Sequence, residues 1–168
     1  MHKNYSPLLL AREYLENVKV NVIGGGIIIP LLKGFNFKEI RVIENPVEKK
    51  RLKKRLKGMD VVIGGYGHEE QKDAARAASE LGMPFITYPV ITTILPDGIS
   101  FEEIEFPLFI DSKFDTISNT LIRTFQVIEL IKLFTGIGEP YFPPNALELD
   151  FDQLTLDLKV KKIRLTVR

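Results

Sequence analysis

The fold is decided by residues 18–44, VKVNVIGGGIIIPLLKGFNFKEIRVIE. The stretch contains an apolar run at 20–23, three glycines at 24–26, an apolar segment at 27–32, a second apolar run at 40–43 and the acid Glu44. This order predicts a strand, a glycine turn, a helix, a second strand and an acid at the end of that strand.

This order of elements provides the groups that a nucleotide-binding site needs. Gly24, Gly25 and Gly26 allow the backbone to approach phosphates, and a helix that begins after them presents free N–H groups. Glu44 lies 20 residues beyond Gly24 and is placed to accept hydrogen bonds from ribose hydroxyls. The alternative is a glycine turn in an α/β protein that binds no ligand.

The glycine fingerprint is imperfect. The pattern G-x-G-x-x-G requires glycine at position 29, where Ile29 stands instead. A bulky residue there predicts a shifted helix or a splayed turn. Pro30 is compatible only with the first turn of a helix.

Length and composition indicate the number of domains and exclude several classes of site. The 168 residues correspond to one domain, which we expect to span 1–168. A net charge of +1 gives no argument for nucleic acid or for a membrane surface, and no apolar run reaches the ~20 residues of a membrane span. The absence of cysteine excludes disulfides, a cysteine nucleophile, thiolate zinc sites and iron–sulfur clusters, and is compatible with the cytoplasm. Two histidines are too few for a histidine metal cluster, and the residues alone select no metal ligand.

The region after Glu44 continues the alternation of strands and helices. A basic helix ends at Gly58 and carries Arg51 and Arg55, which either contact phosphates or belong to a solvated charged face. We predict a strand at 60–63, a helix at 69–81 and a strand at 84–88.

A second group of glycines, Gly64, Gly65 and Gly67, follows the third strand and leads to His68. Ligands of parallel sheets bind outside the carboxyl ends of the strands, so we expect these residues on one rim with Gly24–Gly26 and Glu44. His68 is a candidate general acid or phosphate contact, or simply an exposed histidine at a helix start.

The remaining chain is less regular. We predict a first helix at 6–17, a hairpin of 92–95 with 99–101, and a strand at 106–109. A long helix at 114–134 with a broad apolar surface and a terminal strand pair turning at Asp152 and Gln153 follow. The predicted fold is α/β, with a Rossmann-like, doubly wound, mainly parallel sheet and a C-terminal antiparallel hairpin.

The C-terminal third, IRTFQVIELIKLFTGIGEP at 122–140 and NALELDFDQLTLDLKVKKIRL at 145–165, resembles the ThiF/HesA/MoeB family, relatives of the ubiquitin-activating enzymes. The positions that match the family motif are Glu129, Ile131, Lys132, Leu133, Gly136, Gly138, Glu139 and Pro140. The N-terminal unit is similar more loosely, so the resemblance covers nearly the whole chain.

The resemblance implies a protein that binds ATP with Mg²⁺ and adenylates a carboxylate. Together with the broad apolar surface of the helix at 114–134, it also predicts a homodimer. The carboxylate would belong to the C-terminus of a ubiquitin-like or sulfur-carrier protein, or to a small-molecule acid. By this resemblance, Gly24–Gly26 correspond to the family's glycine loop and Glu44 to the acid that binds the ribose. The family's phosphate-binding arginine falls at Arg55, with Arg51 nearby. The family's magnesium-binding aspartate falls at Gly67, and a substitute is sought among Glu69, Glu70, Asp73 and Asp111.

Three hypotheses follow. The first is a shortened, active adenylating enzyme. The second is a catalytically inactive relative that serves as a binding module or heterodimer partner. The third, ranked last because no second catalytic domain is evident, is an NAD-dependent oxidoreductase. Because Gly67 replaces the metal carboxylate, we expect nucleotide binding to be retained more fully than catalysis.

Overall fold

The computed structural model describes residues 13–44, 49–65, 67–107, 116–152, 155 and 157–168. The strands are β1 Lys19–Ile23, β2 Glu39–Ile43, β3 Val61–Ile63, β4 Phe85–Ile86, β5 Thr93–Ile94, β6 Ile104–Glu105, β7 Asn145–Asp152, β8 Asp157–Arg164 and β9 Thr166–Val167. The α-helices are α1 Ile28–Lys33, α2 Lys49–Leu56, α3 His68–Glu80 and α4 Thr116–Thr135, and Phe101–Glu103 form a 3-10 turn.

A five-stranded sheet forms the centre, in the order β2-β1-β3-β4-β5. The first four strands are mutually parallel, and β5 runs antiparallel to β4. β7 and β8 form a separate antiparallel hairpin, and an isolated bridge links Leu147 of β7 to Ile91 in the segment between β4 and β5. The predicted α/β class, the mainly parallel sheet and the C-terminal hairpin are therefore confirmed.

Two clusters of buried apolar side chains lie on opposite faces of the central sheet. Val62 belongs to the cluster that contains α2 and α3, while its neighbours Val61 and Ile63 belong to the cluster that contains α1 and α4. Successive side chains of a strand point to opposite faces, so this division follows from the alternation in β3. Helices thus cover the sheet on both sides and bury its apolar strands.

Local sequence explains the helices. Leu52 and Leu56 lie one turn apart on α2 and are buried, while basic residues occupy its last turn, where they favour the helix dipole. In α3, alanines form the buried face and Glu69 and Glu70 stand in the first turn. The ion pair of Lys53 with Glu80, at 2.9 Å, joins the two helices on the surface. None of the described helices is both long and apolar enough to cross a membrane.

The predicted hairpin of 92–95 with 99–101 is wrong. The expected turn forms, since the Gly98 N–H donates to the Leu95 carbonyl at 3.1 Å, but β5 pairs with β4. The chain after Gly98 does not return as a strand because Ser100 and Glu103 form a capping box that starts the 3-10 turn. Both partners of that box are local in sequence.

The predicted strand at 106–109 is also displaced. The structure places β6 at Ile104–Glu105, paired with the C-terminal β9, whereas 106–107 are outside any strand and 108–109 lie outside the described residues. Of the predicted first helix, residues 13–15 are helical and the earlier part lies outside the described residues. The hairpin turn at 152–153 is likewise described only at Asp152.

Candidate functional site

Three neighbouring parallel strands end at one edge of the sheet. Because β2, β1 and β3 are adjacent, the residues after them lie side by side: Glu44 after β2, the glycine loop 24–26 after β1, and the second glycine group after β3. The sequence placed these groups on one rim, and the strand order accounts for their proximity.

The loop after β1 requires its glycines at two positions. Gly24 and Gly26 have φ angles of 76° and 78°, in the left-handed region that other residues rarely adopt. Gly25 faces β2: a Cβ there would lie 3.2 Å from Val42 Cγ1 and 3.8 Å from Glu44 Oε1. The Glu44 carboxylate thus stands directly beside the glycine loop.

The glycine loop is followed at once by a short helix. Helix α1 begins at Ile28, with Pro30 in its first turn as predicted, and the Ile29 N–H donates to the Gly26 carbonyl at 3.2 Å. The helix therefore accommodates Ile29 by starting two residues beyond the last glycine.

The glycines after β3 are needed for close approach. A Cβ on Gly64 would lie 2.7 Å from both Gln71 Oε1 and Phe85 Cζ, and a Cβ on Gly65 would collide with the Ile23 carbonyl and the Arg123 guanidinium. The clash at Gly65 involves the backbone of β1, so a side-chain rotation alone does not relieve it. Two strand ends and a helix therefore meet here with no room for a side chain.

Arg123 and Gln126 of α4 hold this meeting point together. The Arg123 guanidinium donates to the Gly64 carbonyl at 2.7 Å, to the Gly24 carbonyl at 3.0 Å and to Gln126 Oε1 at 2.9 Å. The Gln126 amide donates to the carbonyls of Gly64 and Thr87 at 3.0 and 2.9 Å. Both side chains are buried, Arg123 at 5% exposure and Gln126 at 0%.

Tyr88 and Gln71 support the arginine from the side of β4. The Tyr88 ring lies under the guanidinium, with Cζ of Arg123 4.7 Å from the ring centre. Gln71 binds both backbone groups of Tyr88, its amide donating to the carbonyl at 2.5 Å and its oxygen accepting from the N–H at 2.8 Å. Burial raises the pKa of the Tyr88 hydroxyl, and the nearby Arg123 charge opposes that rise.

His68 is the first residue of α3 and is exposed at the rim. Its ring packs against Phe101 and Phe106, with centroid distances of 5.0 and 6.1 Å. Gly67 is the extended N-cap residue of this helix. The structure thus places the histidine beside an aromatic cluster rather than in the Arg123 network.

A carboxylate occupies the space next to Gly67. A Cβ on Gly67 would lie 2.8 Å from Glu70 Oε2, so the side chain of Glu70 points to where a side chain at position 67 would stand. Of the four acids proposed as substitutes, Asp111 lies outside the described residues and only Glu70 is shown against Gly67. Within the described residues, no group of three histidine, aspartate or glutamate side chains is arranged to hold a metal ion.

The two candidate arginines of α2 lie at different distances from the rim. The helix begins after β2, at the rim, and its end leads into β3, so Arg51 lies near the rim and Arg55 lies in the last turn, away from it. The Arg41 guanidinium donates to the Arg55 carbonyl at 2.6 Å and thereby caps that end of the helix.

The buried acid Glu129 makes hydrogen bonds that hold neighbouring segments of the fold together, and it does not lie at the rim. It accepts hydrogen bonds from the Tyr141 N–H and from Thr93 Oγ1, the latter at 3.2 Å, and Lys132 lies 3.4 Å away. Burial raises the pKa of the Glu129 carboxyl, and the Tyr141 hydrogen bond and Lys132 only partly counter this effect.

The sequence interpretation missed Arg123, Gln126, Tyr88 and Gln71. A signal was present in α4, where the polar residues Arg123, Gln126 and Glu129 recur every three positions within an otherwise apolar helix face. Such a buried polar row indicates that the helix packs against groups that need hydrogen bonds.

Comparisons with solved structures identify the fold. The crystal structure of PaaA matches with a TM-score of 0.62 and 14% identity, over 92% of this chain and 66% of PaaA. E. coli MccB solved with ATP matches with a TM-score of 0.64 and 15% identity, over 95% of this chain and 67% of MccB. MccB solved with AMPCPP and MccA matches with a TM-score of 0.66 and 12% identity, over 95% of this chain and 67% of MccB.

These likenesses show the fold alone, since the identities are low, and the chain spans about two thirds of the length of the proteins it matches. No protein-family model matches the sequence, and no curated protein matches it.

Proposed function

We propose that the protein is a ThiF/MoeB-like nucleotide-binding protein that binds ATP at the rim formed by β2, β1 and β3. The observation that carries this proposal is the position of the Glu44 carboxylate beside Gly25, 3.8 Å from where a Cβ on that glycine would lie. An acid next to a glycine loop can bind ribose hydroxyls while the loop backbone faces phosphates. The fold shared with MccB, which was solved with ATP, supports the choice of nucleotide.

The proposed arrangement is a single domain, 1–168, with a doubly wound sheet. Helices α1 and α4 in one apolar cluster and α2 and α3 in the other support it. In such sheets the ligand crevice lies where the connections diverge to opposite faces, which here is between β1 and β3. Both glycine groups border that crevice.

The reaction proposed for this site is adenylation, in which a carboxylate oxygen bonds to the α-phosphorus of ATP and pyrophosphate leaves. The acid would be a small molecule or the C-terminus of a peptide or carrier protein. MccB solved with MccA supports a peptide among these classes. Electrostatic neutralisation of the phosphates dominates such transfers, so the cations and metal ligands of the site decide whether they occur.

We propose Glu70 as the carboxylate that holds Mg²⁺ in place of the missing acid at position 67. Its Oε2 lies 2.8 Å from where the Cβ of that residue would be, and one carboxylate together with nucleotide phosphates is an ordinary ligand set for Mg²⁺. Glu70 is half-buried in the first turn of α3 and Gly67 beside it is exposed, so water can reach the metal position. Of the two arginines, the geometry favours Arg51 over Arg55 as a phosphate contact, because Arg51 lies nearer the rim.

The second candidate function, an inactive binding or heterodimer partner, is favoured by Gly67 itself. If Glu70 does not hold the metal, ATP binds but the charge on departing pyrophosphate is not neutralised. We expect nucleotide binding to be readily measurable and ATP–pyrophosphate exchange with C-terminal glycine peptides to be weak.

The binding site is tested by titration calorimetry with ATP and NAD on the wild type and on Glu44→Ala. Loss of a hydrogen bond to a charged acceptor should weaken ATP binding by ~1–3 kcal/mol. Glu16→Ala is the matched control, because it removes an exposed acid before β1, at the opposite edge of the sheet. Unchanged ATP affinity in Glu44→Ala would remove Glu44 from the site, and tighter binding of NAD than of ATP would favour the oxidoreductase reading.

The metal proposal is tested by measuring ATP affinity with and without Mg²⁺. Glu70→Gln should abolish most of the magnesium-dependent part of the affinity and leave the magnesium-free affinity unchanged. Glu69→Gln, one residue away on the same helix turn, is the control. A magnesium response that survives in Glu70→Gln would assign the metal to another acid.

A further inference from the structure

Arg123 occupies an unusual position for a buried cation. It lies at the boundary of β1 and β3, reaches there from α4, and its Nη2 and Nη1 donate to the carbonyls of Gly24 and Gly64 at 3.0 and 2.7 Å. Its exposure is 5%, so the guanidinium stands behind the two glycine groups rather than on the rim. One side chain therefore fixes the first peptide group of both loops.

The orientation of those peptide groups follows from their planarity. Among the described residues, the cis peptide bonds are Tyr88-Pro89 and Pro143-Pro144, so the bonds that follow Gly24 and Gly64 are trans. In a trans peptide the N–H points opposite to the C=O. With both carbonyls directed at Arg123, the N–H groups of Gly25 and Gly65 point away from it, and both carbonyls meet the same end of one guanidinium.

These two N–H groups are without a hydrogen bond in the part of the chain that the structure describes, although the neighbouring N–H groups of Gly24 and Gly64 donate to Ile43 and Ile86 at 2.9 and 2.7 Å. Free backbone donors at the ends of adjacent parallel strands form a concave site suited to anions. The positive charge behind each carbonyl polarises the peptide further, which strengthens its N–H as a donor.

We propose that Arg123 is a positioning residue for phosphate recognition. By gripping the carbonyls of Gly24 and Gly64, it aims the N–H groups of Gly25 and Gly65 at the polyphosphate of a bound nucleotide. This inference rests on the proposed function and adds to it the residue that orients the phosphate-binding amides of the two glycine groups. The ribose and base are bound by other residues, among them Glu44.

Lysine is a poor replacement for this role. The planar guanidinium presents two parallel donors to two carbonyls, stacks on Tyr88 at 4.7 Å and donates to Gln126 at 2.9 Å. A lysine ammonium is a compact charge on a flexible side chain, and it cannot present two parallel donors in a fixed geometry. Arg123→Lys keeps the positive charge and removes the fixed donor geometry. The variant therefore separates the orientation of the two peptide groups from simple attraction between the cation and the phosphates.

The test compares ATP and adenosine binding by calorimetry in the wild type, Arg123→Lys, Arg123→Met and Lys132→Met. The last is the matched control, because it removes a cation from the same helix about 13 Å further along its axis. We expect ATP affinity to fall roughly 10- to 100-fold in both Arg123 variants, because the Gly25 and Gly65 N–H groups lose their alignment for hydrogen bonds to a charged phosphate. Adenosine affinity should stay within about twofold, as should both affinities in the control.

A second measurement is independent of any ligand. Amide NMR of the free protein should show altered shifts and exchange rates for Gly25 and Gly65 in Arg123→Lys, while Gly98, distant from the site, is unchanged. Circular dichroism confirms that each variant is folded.

The outcomes separate the two proposals. If the wild type binds ATP but ATP and adenosine weaken together in the Arg123 variants, or neither weakens, the positioning role is overturned and the proposed function stands. Unaltered Gly25 and Gly65 amides would also overturn it. If the wild type binds neither ATP nor adenosine, the proposed function fails, and the phosphate role of Arg123 fails with it.

Discussion

Asn21 is a polar residue in the middle of β1 at 0% exposure, between Arg41 and Val62 in the sheet register. Neither atom of its side-chain amide has a hydrogen-bond partner in the described structure. A buried amide without partners costs about 1–3 kcal/mol. The residue therefore weakens the strand that leads into the glycine loop.

We predict that Asn21→Val stabilises the protein by about 1 kcal/mol, because valine suits a buried strand and needs no hydrogen bond. For a chain of this size the melting temperature should rise by about 2–4 °C. Asn36→Val, in an exposed loop, is the control and should change little. A lower melting temperature in Asn21→Val would mean that the amide is hydrogen-bonded in solution.

At the scale of elements, Glu129 joins α4 to β5 through Thr93 and to the segment before β7 through Tyr141. Its pKa is raised above the usual value of 4.5, chiefly by burial. The protonated form is therefore favoured by folding. Its contribution is fully present below the pKa of the unfolded chain and is lost as the pH rises through the raised pKa of the folded state.

We predict that Glu129→Gln changes the pH dependence of unfolding. Glutamine keeps an acceptor for the Tyr141 N–H and carries no charge, so the variant should gain stability relative to the wild type as the pH rises above about 4.5. Urea unfolding at several pH values between 4 and 7 measures the difference. A constant difference across that range would show that the carboxyl titrates as it does in the unfolded chain. Glu139→Gln, an exposed acid beyond the helix, controls for general charge effects.

The elements that were predicted well from the sequence are those whose type depends on residues close to one another in the chain. The unit from β1 to β2 follows from apolar runs and a glycine turn, and α4 follows from its long apolar periodicity. The hairpin at 92–101 failed because the partner of β5 is β4, a choice made by packing across the sheet. The position of Glu44 and the glycines at neighbouring strand ends follows from their spacing. The contacts of Arg123 and Gln71 were missed because their partners are backbone groups distant in sequence.

At the scale of the whole molecule, β8 leaves an apolar patch uncovered. Leu158 and Val160 are 40% and 44% exposed and face the same side of the hairpin as Leu149 and Phe151. Exposed apolar side chains in a row on a strand pair are typical of an association surface. We propose that a second copy of the chain covers this patch in the homodimer that the family resemblance implies.

We predict that the wild type has a mass of about 38 kDa by light scattering, twice the 19.1 kDa of one chain. Val160→Lys should shift it toward the monomer, because burying a lysine charge in an apolar contact is unfavourable. Ile137→Lys alters an exposed isoleucine outside the hairpin and should leave the mass unchanged. A monomeric wild type, or a Val160→Lys variant that remains dimeric, would contradict the proposed surface.

The reach of Arg123 also bears on the order in which the protein is assembled. Its partners Gly24 and Gly64 precede it by 99 and 59 residues, so the two loops are joined only after α4 has been synthesised and has docked. During synthesis the glycine loops emerge before Arg123, and contacts between residues so far apart in sequence form more slowly in general, because closing a long loop costs chain entropy. Under the proposed function, the rim would therefore become able to bind a nucleotide only after α4 has docked against the two loops.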